Sequence, residues 1–407
     1  MSLDYETYPL KELNEGASVF SGFAFKSKDF SDKGIPIVKI KNIQNKSVDL
    51  KEVQYFPLDK VNNKHKKFFL KNNDVLIAMT GQGSLGRVGR INLESNEYVL
   101  LNQRVGKFVV DEKNLHLNYL YHVISSDMYE KILFDRGTGS GQPNLSPEII
   151  LGTEIPMPNL TTQKKISSIL DNINSKINLN KKINKNLEEL MHVLFKKYFI
   201  DNNPFYVEND EKWNIIKLKD LIIRNRDKIN DFDNWKDELL IDLSNMPRFS
   251  IAISNFDKGK KFTSNIYKLN KYDLLFGSIR PYFGKVGFSP INGVVTGTVH
   301  SFKPIDDIYY SLVLSLISSK TFINYTVSVS KGTKMPSVKW DDFINYEFAI
   351  PDDLSKIGEY NKILLPLIHK IEKNILEIQR LTKLRDTLLP KLMSGEIDVS
   401  KINCDLE

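Results

Sequence analysis

Along two long stretches of the chain, apolar residues recur at three- and four-residue steps. In "TQKKISSILDNINSKINLNKKINKNLEELMHVLFKKYF" the step gathers Ile166, Ile169, Leu170, Ile173, Ile177, Leu187, Leu190, Met191 and Leu194, with Asn180 and Asn184 interrupting the series. In "EYNKILLPLIHKIEKNILEIQRLTKLRDTLLPKLM" it gathers Leu364, Ile368, Ile371, Ile375, Ile378, Leu381, Leu384, Leu388 and Leu392. That period belongs to amphipathic helices. Neither stretch contains a glycine, and roughly 35 residues at 1.5 Å rise make each helix about 50 Å long, far above the average globular helix. An apolar seam of that length needs a second helix to cover it, so the pair is expected to form an intramolecular antiparallel coiled coil with a globular domain at each end. Pro366 marks a kink or a late start of the second helix, and Pro390 the end of its regular part. Asn180 and Asn184 are expected to form a polar layer that fixes register.

Outside these stretches the pattern changes to short Ile-, Val-, Phe- and Tyr-rich runs punctuated by Gly, Asn and Pro, which predicts mixed strands. One helix is expected near 117–134 and another near 308–325. The two blocks repeat one another. "DVLIAMTGQGSLGRVG" from Asp74 aligns with "DLLFGSIRPYFGKVG" from Asp273, and "ISSDMYEKI" from Ile124 with "ISSKTFINY" from Ile317. "RGTGSGQPNL" from Arg136 aligns with "KGTKMPSV" from Lys331, and both blocks then reach an Ile-Pro pair at Ile155 and Ile350. An offset that stays between 193 and 199 residues throughout is the mark of an internal repeat. The predicted class is therefore α+β: two similar mixed domains separated by two long helices, related by an internal pseudo-twofold repeat. Boundaries fall at 1–158 for the first domain, 159–200 for the first helix and 201–212 for a linker. The second domain follows at 213–352, the second helix at 353–398 and a tail at 399–407.

The first block contains a literal G-x-G-x-x-G, Gly81 to Gly86. A dinucleotide cradle of that pattern works only between a strand and a helix N-terminus, and the following "RVGRINLESNEYVLL" alternates with a strand period. The second copy keeps Gly284 and Gly287 but replaces the Gly81–Ser84 portion with "SIRPY". Gly86 and Gly89 are accordingly expected to be turn glycines around a variable loop.

Length and charge sharpen the picture only a little. At 407 residues the chain exceeds what one core usually serves. Its net charge of +7 is concentrated on the first helix, where eight Lys stand against three Asp and Glu, while residues 1–158 and 201–352 are each 20 against 19. A polyanionic partner would thus be met by local basic clusters. The one cysteine, Cys404, rules out a disulfide framework and a cysteine-based metal site. No run approaches the length of a membrane span and the N-terminus has no leader pattern, so a cytoplasmic protein without membrane contact is expected.

The ending "LTKLRDTLLPKLMSGEIDV" (Leu381 to Val399) and the opening "YPLKELNEGASVFSGFAFKSKDF" (Tyr8 to Phe30), together with the repeated domain–helix plan, resemble the specificity subunits of Type I restriction-modification systems, the HsdS family. The resemblance implies two target recognition domains, each followed by a conserved spacer helix. It also implies binding to double-stranded DNA at a bipartite asymmetric sequence, two adenine-N6 methyltransferase subunits as partners, and restriction and translocation subunits joining through the complex. On that account the chain itself is non-catalytic, with no cofactor and no metal.

Base reading needs donors and acceptors that reach a groove, while phosphate contacts fix register. Polar and basic residues in turns between strands are the candidates. In the first domain these are Lys39, Lys41, Gln82, Ser84, Arg87, Arg104, Arg136, Thr138, Ser140, Gln142 and Asn144. In the second they are Arg248, Lys258, Lys260, Lys261, Arg280, Tyr282, Lys285, Lys331, Thr333 and Lys334. Chemistry by the chain alone finds little support: the nearest approach to an amino-methyltransferase motif is Asn203-Pro204-Phe205, which lacks one proline and reads as a turn. Of the six histidines, His116 and His122 stand six apart, a poor metal pair. A stand-alone DNA methyltransferase is thus the weaker alternative, and a coiled-coil adaptor with two protein-binding heads the stronger.

Overall fold

A computed structural model of the protein describes residues 8–44, 46–138, 143–201, 212–231, 233, 235–261 and 265–399. The chain divides into two compact units, Met1–Ile173 with Leu384–Glu407, and Asn174–Lys383. Each long helix contributes to both.

In the first unit a six-stranded sheet runs in the spatial order Ala17–Ser21, Val105–Val110, Val75–Ala78, Val88–Arg90, Ser47–Val48, Ile43–Gln44. A three-stranded sheet places Ile35–Val38 between Gln54–Phe56 and Leu100–Leu101, antiparallel to the former and parallel to the latter. Leu10–Glu12 pairs with Glu154–Pro156 just before the first spacer helix begins. The second unit repeats the plan. Its four-stranded sheet runs Ile222–Arg224, Val299–Pro304, Leu274–Gly277, Val286–Phe288, and Leu239–Ile241 again sits between an antiparallel neighbour, Asp257–Lys258, and a parallel one, Gly293–Thr296. Trp213–Lys217 pairs with Glu347–Pro351 before the second spacer helix.

Register carries the repeat down to single residues. Leu76 faces Gly89 across one sheet and Leu275 faces Gly287 across the other. A Cβ on Gly89 would lie 2.7 Å from the Ser47 carbonyl oxygen, and one on Gly287 would lie 2.7 Å from that of Ile251. Both are therefore strand residues that admit a close neighbouring backbone, and Gly89 is not the turn residue that the sequence predicts. Gly86 is the turn glycine, at φ +76°, with Gly284 its counterpart at φ +55°.

The helix expected near 117–134 is two helices, Leu117–Ile124 and Asp127–Gly137, and its counterpart is likewise Tyr310–Ser318 and Lys320–Val329. The repeated Ile-Ser-Ser is the reason. Ser126 and Ser319 take extended backbone and accept the amides of Tyr129 and Phe322 through their hydroxyls, so each starts a new helix where a single apolar pattern seemed to continue. Among the described residues no single helix is long and apolar enough to cross a membrane.

The spacer helices are Leu160–Phe199 and Leu354–Ser394. Within the second unit Asn180 donates to Glu377 at 2.9 Å, Asn374 donates to Asn184 at 2.7 Å, and Phe199 meets Tyr360 at 4.8 Å between ring centroids. Partners descend on one helix as they ascend on the other, so the pairing is antiparallel. Asn180, Asn184 and Asn374 are buried, and they form the expected polar layer in an otherwise apolar seam. In the first unit Ile166 and Leu170 share a core with Leu392 and Met393. Pro366 and Pro390 both lie inside the second helix, so Pro390 does not end it, and Leu190 and Leu384 fall outside the seam on the exposed side.

Candidate nucleic-acid interface

In the first unit the end of strand Val75–Ala78 gathers several separate segments. The Met79 amide donates to the Arg104 carbonyl at 3.0 Å, and the Met79 carbonyl accepts from Leu145 at 2.8 Å. Thr80 pairs with Asn144, whose own amide donates to Gly137. Gly81, at φ +103°, leaves room for the Ile40 side chain, which a Cβ would approach within 2.9 Å. Lys39, Lys41, Gln82, Ser84, Arg104 and Asn144 are thereby brought to one edge of the head, where Lys41, Gln82, Arg104 and Asn144 are exposed. The turn Gly81–Gly86 leads back into an antiparallel strand and not into a helix, so it lacks the amide cluster a pyrophosphate requires.

The same scaffold builds the second edge with different tips. Ser278 donates to the Thr298 carbonyl at 3.0 Å and accepts from Val338 at 2.9 Å, repeating the Met79 bonds, so Thr298 stands where the first head has Arg104. Ile279 pairs with Ser337, and the Arg280 amide donates to Pro336 at 2.7 Å. The loop from Lys331 to Ser337 is closed by two backbone bonds between those residues, with Gly332 at φ +107°. Its tip exposes Lys331, Thr333 and Lys334 beside Arg280 and Tyr282. Arg280 itself has φ +52°, and its buried Nε has no hydrogen-bond partner among the described residues. Arg248 stacks on Phe283, its guanidinium carbon 3.8 Å from the ring centroid.

Several sequence candidates are engaged within their own head. Arg136 donates to the Gly152 carbonyl at 2.8 Å and to Thr153 Oγ1 at 3.3 Å, tying together the helices around it. Thr138 Oγ1 donates to the Asp135 carbonyl. Lys39 lies 3.7 Å over Phe30 and also donates to Gln54; burial, then Lys41, lowers its pKa. Lys285 donates to the Leu243 carbonyl, and burial, then Arg248, lowers its pKa as well. Arg87 is exposed but lines a cleft with Gln44, Lys46, Asp127 and Glu130, so the head's own carboxylates offset its charge. Lys258 donates to the Asp237 carbonyl at 2.9 Å, and with Lys260 lies at the start of strand Leu239–Ile241, whereas Leu243 beyond its other end packs at Gly277. The structure does not bring that basic run to the Arg280 edge. Ser140, Gln142 and the side chain of Lys261 lie outside the described residues.

Two exposed apolar residues escaped the sequence reading. Phe249 is 61% exposed and Met335 55% exposed, both at the second edge. The proline and arginine before Phe249 were a turn signal, but nothing in the sequence shows which way its ring points.

Each head is also fastened to helix residues of its own unit. In the first, Asp171 accepts from Arg90 at 2.9 Å and from Asn118 at 2.9 Å, and lies 3.0 Å from His122. His116 meets Ser167 at 3.1 Å. Both histidines thus face the helix. In the second, Tyr272 donates to Glu372 at 2.6 Å, and Glu188 accepts from the Ser250 hydroxyl at 2.8 Å and the Ile251 amide at 3.3 Å.

Residues 3–189 match the family model described as the Type I restriction modification DNA specificity domain. The chain is 27% identical over 320 residues to the Type I restriction enzyme MjaIX specificity subunit of Methanocaldococcus jannaschii, covering 72% of each. It is 22% identical over 425 residues to the EcoBI specificity subunit of Escherichia coli, covering 95% of this chain and 85% of that one. The crystal structure of a Type I restriction-modification S subunit from M. genitalium shares the fold with a TM-score of 0.61 at 15% identity, over 95% of this chain and 96% of that one. A specificity-domain model is matched across the first head and most of its helix, and relatives align over most of the chain, so the chain is similar to Type I restriction-modification specificity subunits.

Proposed function

We propose that this chain reads a bipartite, asymmetric DNA sequence for a Type I restriction-modification complex and contributes no catalytic group of its own. One observation carries the reading. A single scaffold occurs twice with the same hydrogen bonds at Met79 and Ser278, yet it ends in Gln82, Arg104 and Asn144 in one copy and in Arg280, Tyr282 and the Lys331–Lys334 loop in the other. Like frames with unlike donors at their tips suit two different half-sites.

In this reading the first target recognition domain spans 1–158 and the second 213–352, with 159–200 and 353–398 as the spacer helices. Lys41, Gln82, Ser84, Arg104 and Asn144 face one half-site, and Arg248, Arg280, Tyr282, Lys331, Thr333 and Lys334 the other. Arg87 and Lys260 are expected to serve phosphate contacts at most. The paired helices hold two adenine methyltransferase subunits, through which the restriction and translocation subunits join in the cytoplasm. The methyl transfer and the cutting belong to those partners.

Mapping methylated adenines in a host with and without the gene tests the reading. A bipartite motif that disappears with the gene is the expected result, and a methylome indifferent to the gene overturns it. Purified complex should also bind its target with a steep inverse dependence on salt, roughly 0.9 decades of affinity per decade of salt for each phosphate contacted. A shallow slope would point to heads that bind protein.

A further inference from the structure

Phe249 combines three properties that the packing of its own head does not explain. Its backbone is left-handed, at φ +51°. Such a conformation costs an aromatic residue on the order of 1–3 kcal/mol, and it persists only where the surroundings impose it. Its side chain is exposed over most of its surface. And the residue is held from both sides: its amide donates to the Gly284 carbonyl at 3.0 Å, while the next two residues, Ser250 and Ile251, donate to Glu188 of the first spacer helix. Gly284 is itself left-handed, and a Cβ there would lie 2.6 Å from the Phe249 ring, so the glycine makes the seat on which the ring rests.

The surroundings of this fixed apolar tip are cationic. Arg248 precedes it and stacks on Phe283, whose ring also meets Tyr282 at 4.6 Å. Arg280 begins the turn that ends at Gly284, and the Lys331–Lys334 loop adjoins Arg280 through Pro336 and Ser337. Cations around a rigid aromatic tip match the chemistry of a base edge flanked by phosphates, where phenylalanine makes apolar contact with a base and arginine or lysine contacts the backbone.

We propose that Phe249 is a specificity-determining residue of the second head, its ring touching a base of that half-site. This rests on the DNA-reading role proposed above. Glu188 and Gly284 act on it as positioning residues: one anchors the loop to the helix, the other gives the ring its seat.

The experiment compares native protein with Phe249→Ala, Phe249→Gly and Phe249→Leu, each assembled with the modification subunits, by methylome mapping and by binding to the native target. Loss of the ring is expected to relax one or two adjacent positions of one half-site, leave the other half-site unchanged, and weaken binding about ten- to hundredfold. Phe249→Leu should retain part of the discrimination. Phe249→Gly separates recognition from folding, because glycine adopts φ +51° without strain. Its melting temperature should equal or exceed that of the native chain while its specificity falls as far as in the alanine variant. If Phe249→Gly melts earlier yet methylates the native sequence with native stringency, the ring is structural and the proposal is wrong. If the native complex itself yields no bipartite motif, the DNA-reading role fails, whatever the variants do.

Discussion

Asp171 on the first spacer helix accepts a hydrogen bond from Arg90 at 2.9 Å, and Arg90 belongs to the strand that leads away from the candidate DNA edge. The same carboxylate lies 3.0 Å from His122 and accepts from Asn118, so one helix residue fixes a strand and a short helix of the head. Arg90 also stacks on Tyr121, with 4.3 Å from guanidinium carbon to ring centroid. The head is thus oriented on its helix by a charged hydrogen-bond network as well as by apolar packing.

Asp171→Asn should weaken that attachment. The amide cannot accept from Arg90, His122 and Asn118 together, and it leaves a partly buried guanidinium without its counter-charge. Arg90 and Asp171 are each about one-fifth exposed, which places the cost below that of a fully buried pair, at about 1–3 kcal/mol. Denaturant unfolding measures it, and an unchanged midpoint would show that the network contributes nothing. His122 supplies a second readout. Burial holds its pKa below the usual histidine value while Asp171 acts to raise it, so the asparagine variant should move its titration to still lower pH, which imidazole resonances would report.

Glu188 sets a pH dependence in the second unit. Burial, reinforced by Glu189, pushes its carboxyl up to about 7, against the hydrogen bonds from Ser250, Ile251 and Ala252 that favour the charged form. In the unfolded chain the group titrates near 4.5. Between those values the folded chain holds the extra proton, so stability is highest at the acidic end, falls as pH rises toward 7, and levels off above it. The slope from this one group is at most about 1.4 kcal/mol per pH unit. Glu188→Gln should remove that component of the slope and gain on the native chain above pH 7. Melting curves at several pH values between 5 and 8 check this; parallel native and variant profiles would assign the slope elsewhere.

The parts of the molecule that were legible in the sequence are those set by local periodicity and by the repeat. The three–four spacing of Ile166, Leu170 and Ile177 specifies a helix wherever it is placed, and its length demands a partner helix. Asn184 declared itself as a polar interruption, and Asn374 across the seam answers it at 2.7 Å. What stayed hidden depends on groups distant in sequence. Gly89 is a glycine because the Ser47 carbonyl passes over it, a fact of sheet order that no local pattern holds. Ser126 splits a helix through its backbone conformation, although serines occur inside helices elsewhere in the chain. The reading edge divides the same way. Glycine-rich and basic turns marked Gln82, Arg280 and Lys331, but charge alone does not show whether an arginine faces solvent or its own backbone.

Arg136 and Arg280 put that distinction to the test. Both are arginines at glycine- or proline-rich turns, and the sequence gives them equal standing as DNA contacts. In the folded chain Arg136 spends its guanidinium on Gly152 and Thr153, whereas Arg280 sits on a strained backbone at the second edge and its buried Nε has no hydrogen-bond partner among the described residues. Arg136→Ala should therefore cost about 0.5–1.5 kcal/mol of stability, the ordinary worth of a hydrogen bond, and leave the methylated motif intact. Arg280→Ala should do the reverse: removing a base contact weakens cognate binding by about 1–3 kcal/mol and relaxes one position of the second half-site. Since alanine tolerates the left-handed backbone no better than arginine, the strain persists in the variant and the melting temperature should hardly move. Affinity, motif and melting temperature measured on both variants form a cross-over design. The assignment of Arg280 to the reading edge falls if the two arginines respond alike.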